Sequence, residues 1–125
     1  MKIGSLILIL FLGCNPFKSK KQPCYKDFVN NAKFSYIDKL LDSKNNFLFF
    51  KDSAQSEIVD GKVKSVDKLV WRSCSVYVLI TQQEGDFWKI GDTLRVDILN
   101  RVSDTLDISV SARGATFSTK IVKLN

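Results

Sequence analysis

The sequence predicts an all-β domain, a single antiparallel meander of about eight short strands that forms a barrel or a sandwich. Two observations lead to this prediction. Short segments alternate apolar and polar residues with the period of two typical of half-buried strands, and turn residues separate them at roughly 8 to 12 residue spacings. Helical periodicity competes only at 27–31 and 36–41, each long enough for one or two turns. We therefore expect neighbouring strands to pair as hairpins.

The first half of the domain contains four predicted strands and the strongest turn signal in the chain. Phe34 and Tyr36 alternate with polar neighbours, and Leu69 and Trp71 share one face of a longer segment. Asp60-Gly61 separates two of these segments, and glycine accepts the positive φ that a type I′ hairpin turn demands. The predicted strands cover 32–37, 47–51, 55–59 and 62–71.

The second half contains four more predicted strands. The segment 75–82 is apolar almost throughout, which predicts a central strand, and 106–112 shows the cleanest alternation. The longest connection, 84–92, is bracketed by Gly85 and Gly91, and Arg113-Gly114 marks a turn. The predicted strands cover 75–82, 93–99, 106–112 and 115–124.

Composition excludes several classes of protein. The 125 residues are 45% hydrophobic and 26% charged, with a net charge of +6, as in one ordinary globular domain. These values exclude a disordered chain, a coiled coil and a multi-pass membrane protein. Histidine is absent, so the side chain most used for acid–base catalysis and transition-metal binding is missing.

The N-terminus is typical of a secretory signal peptide. Lys2 precedes a short apolar stretch, which is too short for the roughly 30 Å hydrocarbon layer of a membrane. Phe11-Leu12-Gly13-Cys14 resembles the lipobox of bacterial lipoproteins. That resemblance implies that Cys14 is acylated and residues 1–13 are removed. The alternative is ordinary signal cleavage, with Cys14 free or paired.

The predicted organisation is therefore a signal peptide at 1–13, an acylated tether at 14–23 and a β domain at 24–125. Lipoproteins that Bacteroidota display on the cell surface often carry an acidic run after the acylated cysteine. This tether is basic there, with Lys18, Lys20 and Lys21. The resemblance thus implies an anchor in the cell envelope, in the outer membrane and facing the periplasm.

Two cysteines remain in the predicted domain, Cys24 and Cys74. An even number in an oxidising compartment predicts one disulfide, and neither cysteine lies in a CxxC pair that would suggest redox catalysis. The alternative is two buried free thiols.

No motif supports an enzyme, a cofactor or a metal site. GxSxG, Walker A and GxGxxG strings are absent, and without histidine a Ser–His or Cys–His nucleophile cannot form. Pairs such as Asp104 and Asp107 fall near turns, where Asp is favoured for structural reasons. Export also argues against a nucleic-acid partner, despite the basic net charge.

The connection 85–92 is the main candidate contact surface, through Phe87, Trp88 and Lys89. Adjacent residues on an extended backbone point to opposite sides, so one aromatic ring can cap the core while the other faces solvent. The alternative is that Trp88 only plugs the end of the core. Two functions follow: a non-catalytic module that binds an envelope protein, or a carrier or sensor of a small apolar ligand inside a barrel. The oligomeric state is not indicated.

Several loosely spaced positions resemble a group of short, uncharacterised lipoproteins of Bacteroidota. The resemblance covers most of the predicted domain and implies a disulfide-linked β domain on a lipid anchor, but it supplies no activity. The positions that carry it are Cys24, Asp27, Phe28, Phe34-x-Tyr36, Lys51-Asp52, Gln55-x-Glu57, Gly61, Trp71, Cys74 and Gly91-Asp92-x-Leu94.

Overall fold

Eight antiparallel strands form a closed barrel in a computed structural model, which describes residues 23–85 and 87–125. Each strand pairs with the next along the chain, and the last pairs with the first, with Phe34 opposite Lys123 and Tyr36 opposite Ile121. The predicted all-β meander is confirmed, and its architecture is the barrel. The strands are β1 (Lys33–Tyr36), β2 (Phe47–Lys51), β3 (Ala54–Val59), β4 (Lys62–Trp71), β5 (Val76–Thr81), β6 (Thr93–Val102), β7 (Thr105–Ala112) and β8 (Ala115–Lys123).

The strand boundaries agree with the sequence pattern except in β6. This strand was expected to end at residue 99 but continues to Val102, because a bulge between Ile98 and Asn100 shifts the register and lets pairing with β7 resume. The two helical stretches also form. A short α-helix (Lys26–Val29) precedes β1, and a 3₁₀ helix (Ile37–Asp42) follows it.

Two tight hairpin turns that contain glycine each place two successive residues at positive φ. Asp60 and Gly61 have φ values of 53° and 80°, so the predicted Asp-Gly hairpin is confirmed. Arg113 and Gly114 have the same pair of values, 53° and 80°. Two successive residues with positive φ match the right-handed twist of the flanking strands.

Antiparallel order distributes the connections between the two ends of the barrel. The closed end carries the N-terminal segment 23–32 and the connections 52–53, 72–75 and 103–104. The open end carries the connections 37–46, 60–61, 82–92 and 113–114. At the closed end, Tyr25, Val29 and Ala32 are buried and belong to the hydrophobic core, so the N-terminal segment acts as a plug.

Side chains fill the barrel interior from the plug upward. Edge-to-face aromatic contacts link Phe34 to Phe50 (centroids 5.6 Å apart), Phe50 to Tyr77 (5.9 Å) and Tyr77 to Trp71 (5.1 Å). The remaining buried apolar residues of the strands are Leu48, Leu69, Val78, Leu79, Val96, Ile98, Leu106, Ile108, Val110 and Ile121.

A disulfide joins Cys24 to Cys74, which confirms the predicted bond and excludes two free thiols. The backbone N–H of Tyr25 also donates to the Cys74 carbonyl at 2.9 Å. These contacts fix the N-terminal segment to the β4–β5 connection. The predicted signal peptide, Cys14 and the tether up to residue 22 lie outside the described residues. In the described part, neither helix is long and apolar enough to cross a membrane.

Candidate functional site at the open end

A recess of about 360 Å³ lies inside the open end of the barrel; we call it the mouth recess. Polar side chains share its inner wall with Leu48, Leu79 and Leu94, and the connection 82–92, called here the mouth loop, forms part of its rim through 83–85, Phe87 and Trp88. Asp86, within this loop, is outside the described residues. The inner polar residues are Tyr36, Gln55, Glu57, Ser65, Asp67 and Thr81.

Strand register explains why these polar groups converge. Gln55 lies opposite Asp67 across β3 and β4, and Asp67 lies opposite Thr81 across β4 and β5, so the three share one face. Leu69 is two residues beyond Asp67 on that face and is only 5% exposed. The inner wall therefore changes from apolar to polar along β4, from the closed end towards the open end.

Three carboxylates line the mouth recess, Glu57 and Asp67 on its inner wall and Glu84 on the exposed mouth loop. Burial, and then the neighbouring Glu57, raise the pKa of Asp67 above its usual range. Burial also raises the pKa of Tyr36, with Glu57 and then Asp38 contributing. Within the described ranges, the ion pairs are Arg95–Asp97, Arg113–Asp92 and Lys120–Asp107, so neither Glu57 nor Asp67 has a cationic partner.

Gln55 is the most buried polar side chain of the mouth recess. It is 8% exposed, and its amide makes no hydrogen bond with any residue that the structure describes. The buried side-chain polar atom that lacks a partner in the described part is Trp71 Nε1, so the amide atoms of Gln55 are reached by water from the recess. The amide of Gln55 is therefore free to bind a group that enters the recess.

Backbone hydrogen bonds hold the mouth loop on the ends of β5 and β6. The N–H of Gly91 donates to the Thr81 carbonyl at 2.9 Å, and the N–H of Thr81 donates to the Asp92 carbonyl at 2.8 Å. The N–H of Lys89 donates to the Asp92 carboxylate at 2.8 Å. Gly91 has a φ of 93°, a conformation in which a side chain is strained.

Arg113 connects the mouth loop to the β7–β8 turn. Its guanidinium donates to the Asp92 carboxylate at 2.7 Å and to the Phe87 carbonyl, and it lies 4.8 Å from the centre of the Trp88 ring. The Lys89 backbone N–H, followed by the Arg113 side chain, lowers the pKa of Asp92. One side chain on the neighbouring β7–β8 hairpin therefore positions the aromatic part of the loop.

The three residues predicted as contacts all lie at the open end. Phe87 is 75% exposed, Lys89 is exposed, and Trp88 is half-buried, stacked beneath Arg113 rather than within the core cluster. Phe87 and Trp88 both line the mouth recess. Their role in binding stays a prediction.

Sequence reasoning missed the inner polar wall and Arg113. One signal was present: Asp67 has the same strand parity as Leu69 and Trp71, so an inward apolar series contains a carboxylate. Glu57 likewise shares parity with Gln55, which is buried. No local pattern indicated Arg113, because its partners lie 21 and 26 residues away in the chain.

The site therefore belongs to a plugged eight-stranded up-and-down barrel with a polar, acidic mouth. In residues 23–85 and 87–125, no three Cys, Asp or Glu side chains come close enough to hold a metal ion. Comparisons with protein-family models, with curated proteins and with solved structures find no match. The resemblance to Bacteroidota lipoproteins stays a prediction.

Proposed function

We propose that this protein is a non-catalytic interaction module, held at the cell envelope by a lipid on Cys14, that binds an envelope protein through the open end of its barrel. The observation that carries the proposal is the distribution of exposed apolar side chains. Ten large apolar residues of the described part are exposed, and seven belong to connections or strand ends at the open end: Ile37, Leu40, Leu41, Val63, Phe87, Ile90 and Phe117.

An exposed apolar group of this kind is typical of a recognition surface. Loops that a rigid scaffold holds in place commonly carry recognition, and aromatic residues dominate the energy of protein interfaces. The mouth loop has both properties, since Arg113 and the backbone hydrogen bonds hold Phe87 and Trp88 in place. A fixed loop loses little entropy when a partner binds.

The position of the open end agrees with a membrane anchor at the other end. The chain enters the barrel at the closed end, where the disulfide fixes Cys24. A ten-residue strand such as β4 rises about 33 Å, or about 25 Å along the axis of a barrel with tilted strands. A lipid on Cys14 would therefore leave the mouth loop pointing away from the membrane and accessible to a partner.

The polar mouth does not favour the alternative, a carrier of a small apolar ligand. Core side chains fill the interior below the recess, and the space that remains contains Glu57 and Asp67. An apolar ligand there would desolvate carboxylates without compensating them. A catalytic function is not favoured either. Ser65 and Lys68 have the spacing of an SxxK motif, but residues three apart on a strand face opposite sides.

The contact surface can be tested by photocrosslinking in cells. A photoreactive residue at position 87 is expected to give a discrete crosslinked species, and the same residue at position 99, on the exposed wall of β6, is the matched control. Trp88→Ala should abolish the crosslink from position 87 while leaving the thermal unfolding midpoint unchanged. Equal crosslinking from both positions, or a loss of several kcal/mol of stability in Trp88→Ala, would contradict the proposed role.

The anchor can be tested separately. Cys14→Ser should release the protein from the membrane pellet after a high-salt wash, because three acyl chains buried at about 0.8 kcal/mol per CH₂ bind far more firmly than one. Retention of the variant in the pellet would refute the lipid anchor. Cys24→Ser serves as the matched control and should stay in the pellet.

A further inference from the structure

The inner wall of the mouth recess contains two carboxylates, Glu57 and Asp67, that make no ion pair with a described residue, and Glu84 adds a third at the rim. The side chains of Glu57 and Asp67 both face inward and occupy diagonally opposed positions on β3 and β4. They are close enough for the charge of Glu57 to raise the pKa of Asp67. Among the described residues that line the recess, Lys64 is the only basic one, and it makes no ion pair with any of them. The recess is thus negative in a domain that is positive overall. Four of the 19 basic residues and none of the 13 acidic residues precede Pro23, which leaves a net charge of +2 for 23–125.

An independent observation, the unpartnered Gln55, also indicates a ligand. This side chain is more than nine-tenths buried, lines the recess and makes no hydrogen bond within the described part of the chain. Its amide oxygen can accept a hydrogen bond from an N–H donor. A group that carries several N–H donors and a positive charge would satisfy Gln55 and both carboxylates together.

The aromatic residues of the recess fit the same kind of group. Tyr36 lies on the inner wall and Trp88 on the rim, and the Trp88 ring already stacks against one guanidinium, that of Arg113. Aromatic faces attract ammonium and guanidinium ions, and apolar rims pack against the alkyl stems of lysine and arginine. A volume of about 360 Å³ is at the small end of ligand pockets, which suits one side chain.

We infer that the mouth recess receives the ammonium or guanidinium end of a lysine or arginine side chain from the bound partner. This inference rests on the proposed function and names the chemistry of the group that the partner inserts. Glu57 and Asp67 supply the charge, Gln55 accepts one N–H, and Tyr36 and Trp88 enclose the stem. The exposed apolar residues of the open end contact the partner around it.

The test uses the purified full-length protein in mild detergent, with small probes that copy the side-chain ends. n-Butylammonium and n-butylguanidinium are titrated while NMR follows the side-chain amide of Gln55, with n-butanol as the neutral control. Both cations should shift this signal saturably, and n-butanol should not. Glu57→Gln with Asp67→Asn should weaken binding of the cations at least tenfold. Asp97→Asn, on the outer face of β6, is the matched control and should bind them as the wild type does.

Three outcomes would overturn the inference. Equal shifts with n-butanol, or unchanged binding in the double variant, would show that the recess does not select cations. If the cations bind as expected but the double variant keeps full photocrosslinking from position 87, the recess holds a free amine and not a partner side chain.

The proposed function fails separately. If position 87 gives no more crosslink than position 99 while the wild type binds the cations as expected, the loop is not the contact surface although the cation site stands. Folding of the double variant is checked by its thermal midpoint, and each single variant repeats the titration if the double variant does not fold.

Discussion

Replacing both Cys24 and Cys74 with alanine removes the covalent link between the N-terminal plug and the β4–β5 connection. The two cysteines are 50 residues apart in the chain. In the chain-entropy model, a crosslink that closes a loop of this length stabilises the folded state by about 4 kcal/mol, and measured values are often lower. We expect the double variant to lose about 2 to 4 kcal/mol of unfolding free energy.

The structure indicates what holds the plug once the disulfide is absent. Tyr25 and Val29 are 8% and 1% exposed, so their burial still favours the docked segment. The hydrogen bond from the Tyr25 N–H to the carbonyl of residue 74 is a backbone contact, and alanine preserves it. We therefore expect the barrel to fold without the bond but to unfold at a lower denaturant concentration.

Urea unfolding, followed by tryptophan fluorescence, measures this loss. The oxidised wild type, the reduced and alkylated wild type and the Cys24→Ala/Cys74→Ala variant are compared, and the last two should agree within about 1 kcal/mol. A loss below about 0.5 kcal/mol would refute the reasoning, because it would mean that the link does not restrict the unfolded chain. A steeper slope with urea would show that the unfolded chain is more expanded without the crosslink, and the free energies are then compared with each protein's own slope.

The remaining predictions concern the core, the mouth loop and the recess. Leu106→Ala, at a fully buried position, should lower the unfolding free energy by about 2 to 5 kcal/mol, whereas Leu99→Ala, at a position 59% exposed, should change it by less than about 0.5 kcal/mol in the same urea titration. Arg113→Gln removes the ion pair with Asp92 and the contact with the Trp88 ring that hold the mouth loop. Limited proteolysis should therefore cut 82–92 faster, while the unfolding free energy stays within about 1 kcal/mol of the wild type. An unchanged rate of cleavage would contradict this role of Arg113. Asp67→Asn should raise stability at neutral pH. The raised pKa of this carboxyl means that the folded state binds more protons than the unfolded state as the group titrates, so stability is lost as pH rises through the folded pKa. The gain in unfolding free energy of Asp67→Asn over the wild type should therefore shrink as the pH is lowered towards about 4. Urea titrations at several pH values measure this gain. A gain that does not change with pH would contradict burial and Glu57 as its cause.

The sequence by itself determined the features that depend on neighbouring residues. Strand positions follow from period-two alternation, and the Asp60-Gly61 hairpin follows from the positive φ that glycine accepts. The disulfide followed from the count of cysteines, since only Cys24 and Cys74 remain once Cys14 is assigned to the lipid. Each of these properties is visible within a few residues or in the composition.

Only the tertiary structure decided between a barrel and a sandwich, and only it assembled the mouth recess. Closure requires β1 to pair with β8, which joins Phe34 to Lys123 from nearly opposite ends of the domain. The meeting of Glu57 with Asp67 depends on a strand register that is set across the β3–β4 turn and its bulge. The ion pair between Arg113 and Asp92 forms because the β5–β6 and β7–β8 hairpins end side by side. These contacts depend on the stagger between neighbouring strands, which is set when the sheet closes into a barrel. The stagger is a property of the whole barrel, and the alternation of apolar and polar residues within one strand does not encode it.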